Sequence, residues 1–158
     1  MQSREFKAAV GKYPTGISVI STKHNDKFYG FTANTFTSVS LEPALISFCL
    51  NIKAGSFDAF LNAKYFAVNI LSSDQVDIAI RFASSNANKF ENIDFTENSF
   101  DIPLISNVLS CIECEKYKQI ECGDHYIFIG SVLKVKVNND LDGSTPLIYY
   151  GKSYKELK

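Results

Sequence analysis

Seven short runs rich in β-branched and aromatic residues, separated by polar turn-forming clusters, most constrain the fold of this 158-residue chain. They are Ile17 to Thr22, Lys27 to Phe31, Ala44 to Leu50, Tyr65 to Leu71, Val108 to Tyr117, His125 to Val137 and Leu147 to Tyr150. Only three stretches carry helical signals. Ser3 offers an N-cap to a first helix whose apolar face is Phe6, Val10 and Tyr13, ended by Pro14 and Gly16. Ala54 to Leu61 forms a second, and Ser73-Asp74 caps a third that runs through Phe82. His24-Asn25-Asp26 and Asp142-Gly143 supply turns. There is no βαβ alternation and no GxGxxG, so a mainly β barrel with peripheral helices is expected. The length suits one domain, residues 1–158, with a sizeable core. Ala44 to Leu50 is almost continuously apolar, as a strand covered on both faces would be. Ala83 to Pro103, by contrast, reads as a long excursion with little regular structure, of the kind usually tied to function or an interface.

Charge narrows the partners. Sixteen Lys+Arg oppose 17 Asp+Glu with no basic stripe, which argues against a nucleic-acid surface. No apolar run approaches a membrane span, and the N-terminus carries no export-like segment, so a cytoplasmic protein with thiols rather than disulfides is expected. Cys111, Cys114, Cys122 and His125 invite a zinc reading. Residues three apart on a strand point to opposite faces, however, and no turn glycine lies between Cys111 and Cys114, so no metal is expected. Cys49 reads as core.

The stretch Gly30 to Pro43, GFTANTFTSVSLEP, has seven Thr, Ser, Asn or Gly residues among its fourteen. Apolar residues interrupt them regularly. Such a mixture suits a backbone that leaves a barrel wall and wraps a flat, phosphate-bearing ligand, although a hydroxyl-rich turn that binds only water has the same composition.

With that stretch, the strand YFAVNIL, the segment GDHYIFIG and the ending PLIYYGKSY in view, the chain resembles the short-chain flavin reductases from about Phe6 to Tyr154. The resemblance implies an FMN-binding split barrel, a six-stranded antiparallel Greek-key barrel with peripheral helices, assembled as a homodimer. It implies binding of FMN or FAD, hydride transfer from NADH or NADPH, and delivery of reduced flavin to a separate flavin-dependent monooxygenase. A tightly FMN-bound electron carrier and a ligand-free structural barrel are the alternatives.

Carried across residue by residue, the resemblance places Thr32, Ala33, Asn34 and Thr35 along the ring and ribityl arm, and the amides of Val39, Ser40 and Leu41 at the pyrimidine edge. Hydride arriving at the ring builds negative charge there, which a well-aimed N–H stabilises by roughly 3 kcal/mol. Asn51, Lys53 and Ser56 lie before a helix start, a natural phosphate site; Lys53 departs from the family's hydroxyl-rich pattern and is either a charged substitute or simply solvated. Arg81-Phe82-Ala83 matches a family tripeptide, with Arg81 toward a flavin phosphate and Phe82 beside the ligand; an exposed helix-end cation is the other reading of Arg81. His125 is the candidate catalytic residue, placing the nicotinamide by alignment rather than relaying a proton. Tyr154 matches an aromatic on that face, or is a packing residue.

Overall fold

The computed structural model describes residues 3–85, 88–139 and 144–157. In chain order these form α1 (Ser3–Val10), β1 (Thr15–Gly16), β2 (Ser18–His24), β3 (Lys27–Ala33), β4 (Thr37–Leu41), β5 (Ala44–Asn51), α2 (Phe57–Asn62), β6 (Tyr65–Ile70) and α3 (Val76–Ala83). The second half supplies β7 (Phe95–Glu97), β8 (Pro103–Ile105), β9 (Ser110–Cys122), β10 (His125–Val137), β11 (Ile148–Tyr150) and β12 (Ser153–Lys155). Asp142-Gly143 lies outside the described residues.

Seven strands make one antiparallel sheet in the order β3-β2-β6-β9-β10-β5-β4. Its two edges, β3 and β4, are consecutive in the chain and joined by residues 34–36 alone. Laid flat, such a sheet is ~29 Å wide, whereas the link from Ala33 to Thr37 spans at most ~14 Å. The sheet therefore curls until its edges approach, and because β3 and β4 do not pair, the barrel stays split between them. The count exceeds the six strands expected from the resemblance by one. The addition is the short β4, which lies in the stretch expected to be a ligand-wrapping loop.

Two cores result. Inside the barrel, Ile20, Phe48, Phe66, Val68, Cys114 and Phe128 converge from five strands, and Phe60 plugs one side from α2. The stacked rings of Phe48 and Phe128, 5.2 Å apart, bridge β5 and β10. The second core lies outside the wall, where α3, β8 and the segment around Leu147 cover β2, β6 and β9 through Val19, Ala67, Ala79, Phe82, Ile105 and Cys111. Cys111 and Cys114 thus face different cores, as strand alternation requires. Burial pushes both thiols up to about 12.

Three expectations change here. The strands buried on both faces are β2 and β6, not Ala44 to Leu50: β5 alternates buried and half-buried because no described element covers its outer face. Cys49 is consequently half-buried rather than core. The third helix is capped by Ser72, through a capping box with Gln75, and begins as a 3-10 turn at Ser73–Gln75.

The excursion from Ala83 to Pro103 also holds more structure than expected, since β7 pairs with β8. Asn69, fully buried in β6, anchors it. Its Nδ2 donates to the Val19 carbonyl at 3.0 Å and to Ser21 Oγ at 2.9 Å, while its Oδ1 accepts the Ile105 amide at 3.0 Å. Ser21 in turn donates to the Pro103 carbonyl at 2.6 Å. A polar side chain inside an apolar wall is tolerated because its amide is satisfied on both sides.

Candidate functional site

A cleft of about 720 Å³ opens along the outer edge of β3. Lys27 to Gly30 form one side, Gly55 and Ser56 before α2 another, and Ser84, Ser85 and residues 88–91 after α3 close it. Gly30 is required by close approach: a Cβ there would lie 2.8 Å from the Phe82 ring and 3.1 Å from the Ile20 carbonyl. Thr32 Oγ1 donates to the Ala79 carbonyl at 2.6 Å, fastening β3 to α3. Phe82 is fully buried, edge-on to Phe90 at 4.9 Å. It is the floor beneath the cleft rather than a wall, because α3 turns Ala79 and Phe82 inward together.

Arg81 occupies the last turn of α3, half-buried, and its Nε is buried with no hydrogen-bond partner among the described residues. Lys89 Nζ donates to the carbonyls of Gly30 at 3.2 Å and Phe82 at 3.0 Å, satisfying an edge-strand oxygen and one of the helix's terminal oxygens. Burial pushes its ammonium pKa down. Ser56 is buried beside the cleft and makes no capping bond to α2. That helix has six residues and starts at Phe57, later and shorter than the sequence suggested.

The stretch from Gly30 to Pro43 is two edge strands rather than a wrapping loop. Ala33 is buried within the barrel, so it has only its backbone to offer a ligand. Asn34 and Thr35 are exposed in the link. Thr35 Oγ1 accepts the Cys49 amide at 2.9 Å and donates to the Cys49 carbonyl at 3.2 Å, standing in for a strand partner where β4 has not yet begun. Val39 is the extra residue of a bulge between Ser38 and Ser40. Because β4 is an edge, its outward amides are unpaired by the sheet, and Leu41 is 87% exposed.

At the rim of the barrel, His125 opens β10 opposite Asn51 of β5 and Cys122 of β9. Its Nδ1 lies 2.7 Å from Asp124 Oδ1. The hydrogen bond and charge of His125, with Lys53 nearby, hold the Asp124 carboxyl below its ordinary range. The Ile52 amide donates to the Asp124 carbonyl at 3.1 Å, and the Lys53 amide to Asn51 Oδ1 at 2.8 Å. Asn51, Lys53, Asp124 and His125 are thus one cluster, three residues of chain from Ser56. Tyr154 does not join it. Its ring packs on Tyr149, centroids 5.6 Å apart, against the outer core, and within one chain it is a packing residue. Burial and then Tyr149 push its phenol up.

Sequence reasoning missed Lys89 and Asp124. Lys89 is the only cation between Ala83 and Pro103, and a single charge in a stretch suspected of function was the available signal. Asp124 stood beside His125 in GDH without being given a role.

Comparison with known proteins follows the same lines. The family model described as flavin reductase like domain matches residues 10–158. A flavin reductase from Pseudomonas putida is 35% identical over 150 residues, covering 94% of this chain and 86% of the relative. The reductase component of a flavin-dependent trigonelline monooxygenase from Acinetobacter baylyi is 35% identical over 152 residues, covering 96% of this chain, which spans only 48% of that relative. A crystal structure of nitrilotriacetate monooxygenase component B from Mycobacterium thermoresistibile superposes with a TM-score of 0.93 at 30% identity, covering 98% of this chain and 86% of the other. A match over nearly the whole chain, on a split β barrel whose unpaired edge borders a cleft, means that this chain belongs to the flavin reductase-like family.

Proposed function

We propose that this chain oxidises NADH or NADPH to reduce FMN or FAD, and passes the reduced flavin to a separate flavin-dependent monooxygenase. The observation that carries the reading is the buried Nε of Arg81, a donor with no hydrogen-bond partner among the described residues, in the last turn of α3 just before Ser84 and Ser85 of the cleft that Ser56 and Lys89 also line. A buried charged donor left unmatched is costly, and a phosphate oxygen supplies what it lacks. The residues present therefore fit a phosphorylated cofactor.

In this reading Arg81 and Ser56 hold the phosphate end, with Lys53 adding positive charge from the rim. Thr32, Asn34 and Thr35 line the path of the ribityl chain, where the hydroxyls of Thr32 and Thr35 are already engaged with backbone groups and act mainly as scaffold. Within Val39, Ser40 and Leu41, the amides that point out from the β4 edge face the ring, fixed in direction by the bulge so that they need not reorganise as charge develops. His125, steadied by Asp124 and set opposite Asn51, aligns the nicotinamide. When bound, the flavin supplies the hydride acceptor. The chain's residues orient it and exclude water.

A homodimer is part of the proposal. It is supported by Leu133, Val135 and Val137, which leave an exposed apolar row on β10 where β5 no longer pairs with it. A cytoplasmic setting is supported by the four free thiols. No helix among the described residues is long and apolar enough to cross a membrane.

The test is to mix the purified chain with NADH or NADPH and excess FMN or FAD and follow nicotinamide absorbance. Flavin-dependent oxidation is expected. Indifference of every nicotinamide–flavin combination would refute the reading.

A further inference from the structure

A second cavity, of about 300 Å³, opens where β8 passes into β9 and the end of β10 lies alongside. None of the residues assigned to flavin or nicotinamide lines it. Its floor is buried and apolar, with Ile105, Val108 and Cys111, and its rim is polar, with Ser106, Ser110 and exposed Lys136. The walls are pinned before any ligand arrives. The Ser106 carbonyl accepts Gln75 Nε2 at 3.0 Å, and the Ser106 amide donates to the Asp94 carbonyl at 3.0 Å. Asn69 holds the Ile105 amide, and the Asn138 amide donates to the Leu109 carbonyl at 2.9 Å. A cavity kept open by such bonds costs a ligand little in ordering.

We propose that this second cavity binds a small organic monoanion, a carboxylate on a short apolar body, with Lys136 and the serine hydroxyls at the carboxylate and Ile105 and Val108 beneath the body. Lys136 is the register partner of Cys111 on the neighbouring strand, so the two side chains share a face. Its charge reaches the thiol, where it opposes the burial and the Glu113 carboxylate that push Cys111 up. Glu113 itself is engaged by Asn98 Nδ2 at 2.6 Å and does not line the cavity. No carboxylate lines it at all, and among the described residues none pairs with Lys136. A carboxylate there gains a charge-assisted bond without displacing an existing ion pair. The volume is at the small end of ligand cavities, which suits one ring or a short chain rather than a nucleotide. The proposal stands independently of the flavin reductase reading.

The experiment titrates benzoate, hexanoate, benzyl alcohol, hexanol and inorganic phosphate into the isotope-labelled full chain and follows its backbone amide resonances. Wild type, Lys136→Met and Lys136→Arg are compared, and the same spectra report whether each variant is folded. At least one of the two acids should saturate with a Kd of about 1 mM, moving the amides of Ser106, Asn107 and Ser110 most. The matching alcohol should bind about tenfold more weakly, because it forgoes the charge of Lys136. Lys136→Met then removes the advantage of the acid over its alcohol, and Lys136→Arg keeps it. Saturating FMN should leave these shifts in place. The proposal is overturned if neither acid saturates by about 50 mM. It is equally overturned if the shifts fall on the cofactor cleft and FMN abolishes them, if the alcohols or phosphate bind as tightly as the acids, or if folded Lys136→Met binds as the wild type does. The wild-type titrations decide the matter even if Lys136→Met does not fold. None of these readouts uses activity, so a failure of the reductase reading shows separately, as absent nicotinamide oxidation.

Discussion

Replacing Asn69 by Leu isolates what holds the excursion, and with it the Lys89 side of the cleft, onto the barrel. Leucine repeats the branching of asparagine at somewhat greater volume, so no cavity forms while both polar functions vanish, and any overpacking at this fully buried site adds to the cost. Four partners lose a bond: the Ile105 amide, the Val19 carbonyl, Ser21 Oγ and, more weakly, the Cys111 thiol that donates to Asn69 Oδ1 at 3.7 Å. The Ile105 amide sits at a buried position, and an orphaned donor there costs ~1–3 kcal/mol. The Val19 carbonyl keeps its place in a sheet, and Ser21 still donates to Pro103, so those two losses add only about 1 kcal/mol together. A destabilisation of about 3 kcal/mol follows, read as the shift in urea midpoint at unchanged m-value. Ser21→Ala alone costs about 1 kcal/mol, and the double variant is less destabilised than the sum, because the two side chains share a bond. Ligand affinity should fall along with stability, since β8 docks the segment that carries Lys89. An Asn69→Leu variant within 1 kcal/mol of wild type would refute the reasoning.

Gly130→Ala drives a methyl group into the Phe66 ring and within 2.9 Å of Cys114 Cβ, and should lose about 1–3 kcal/mol in denaturant melts; a neutral result would mean that β10 can shift. Cys111 and Cys114 bind their protons more tightly folded than unfolded, so the unfolded state ionises first as pH rises. Their contribution is complete below the unfolded value of about 9 and declines from there toward about 12, a slope in stability that Cys111→Val with Cys114→Ala should flatten. In the same experiment at pH 8, a disulfide reagent should modify exposed Cys122 quickly and these two only after denaturation. His125→Ala should lower kcat/KM for NADH about tenfold while leaving flavin affinity within twofold, if alignment of the nicotinamide is its task.

The sequence alone determined that this chain is a barrel. Many short β-branched runs with few helical stretches between them can build a core only by wrapping or packing sheet on sheet, and that periodicity is local information, as is the Asn25-Asp26 hairpin turn with both residues at positive φ. The opposite facing of Cys111 and Cys114 was legible for the same reason. What the sequence could not reveal is which strand faces gain a second layer. Ala44 to Leu50 reads as more apolar than Ser18 to His24, yet β2 is the strand covered twice, because α3 and β8 happen to dock on its side. Likewise the hydroxyls of Thr32 and Thr35 look available in the sequence and are engaged in the fold. Lys89 and Arg81 acquire meaning only where β3, α3 and the following segment meet, since the bonds of Lys89 to Gly30 and Phe82 and the unmatched Nε of Arg81 depend on residues distant in the chain and adjacent in space.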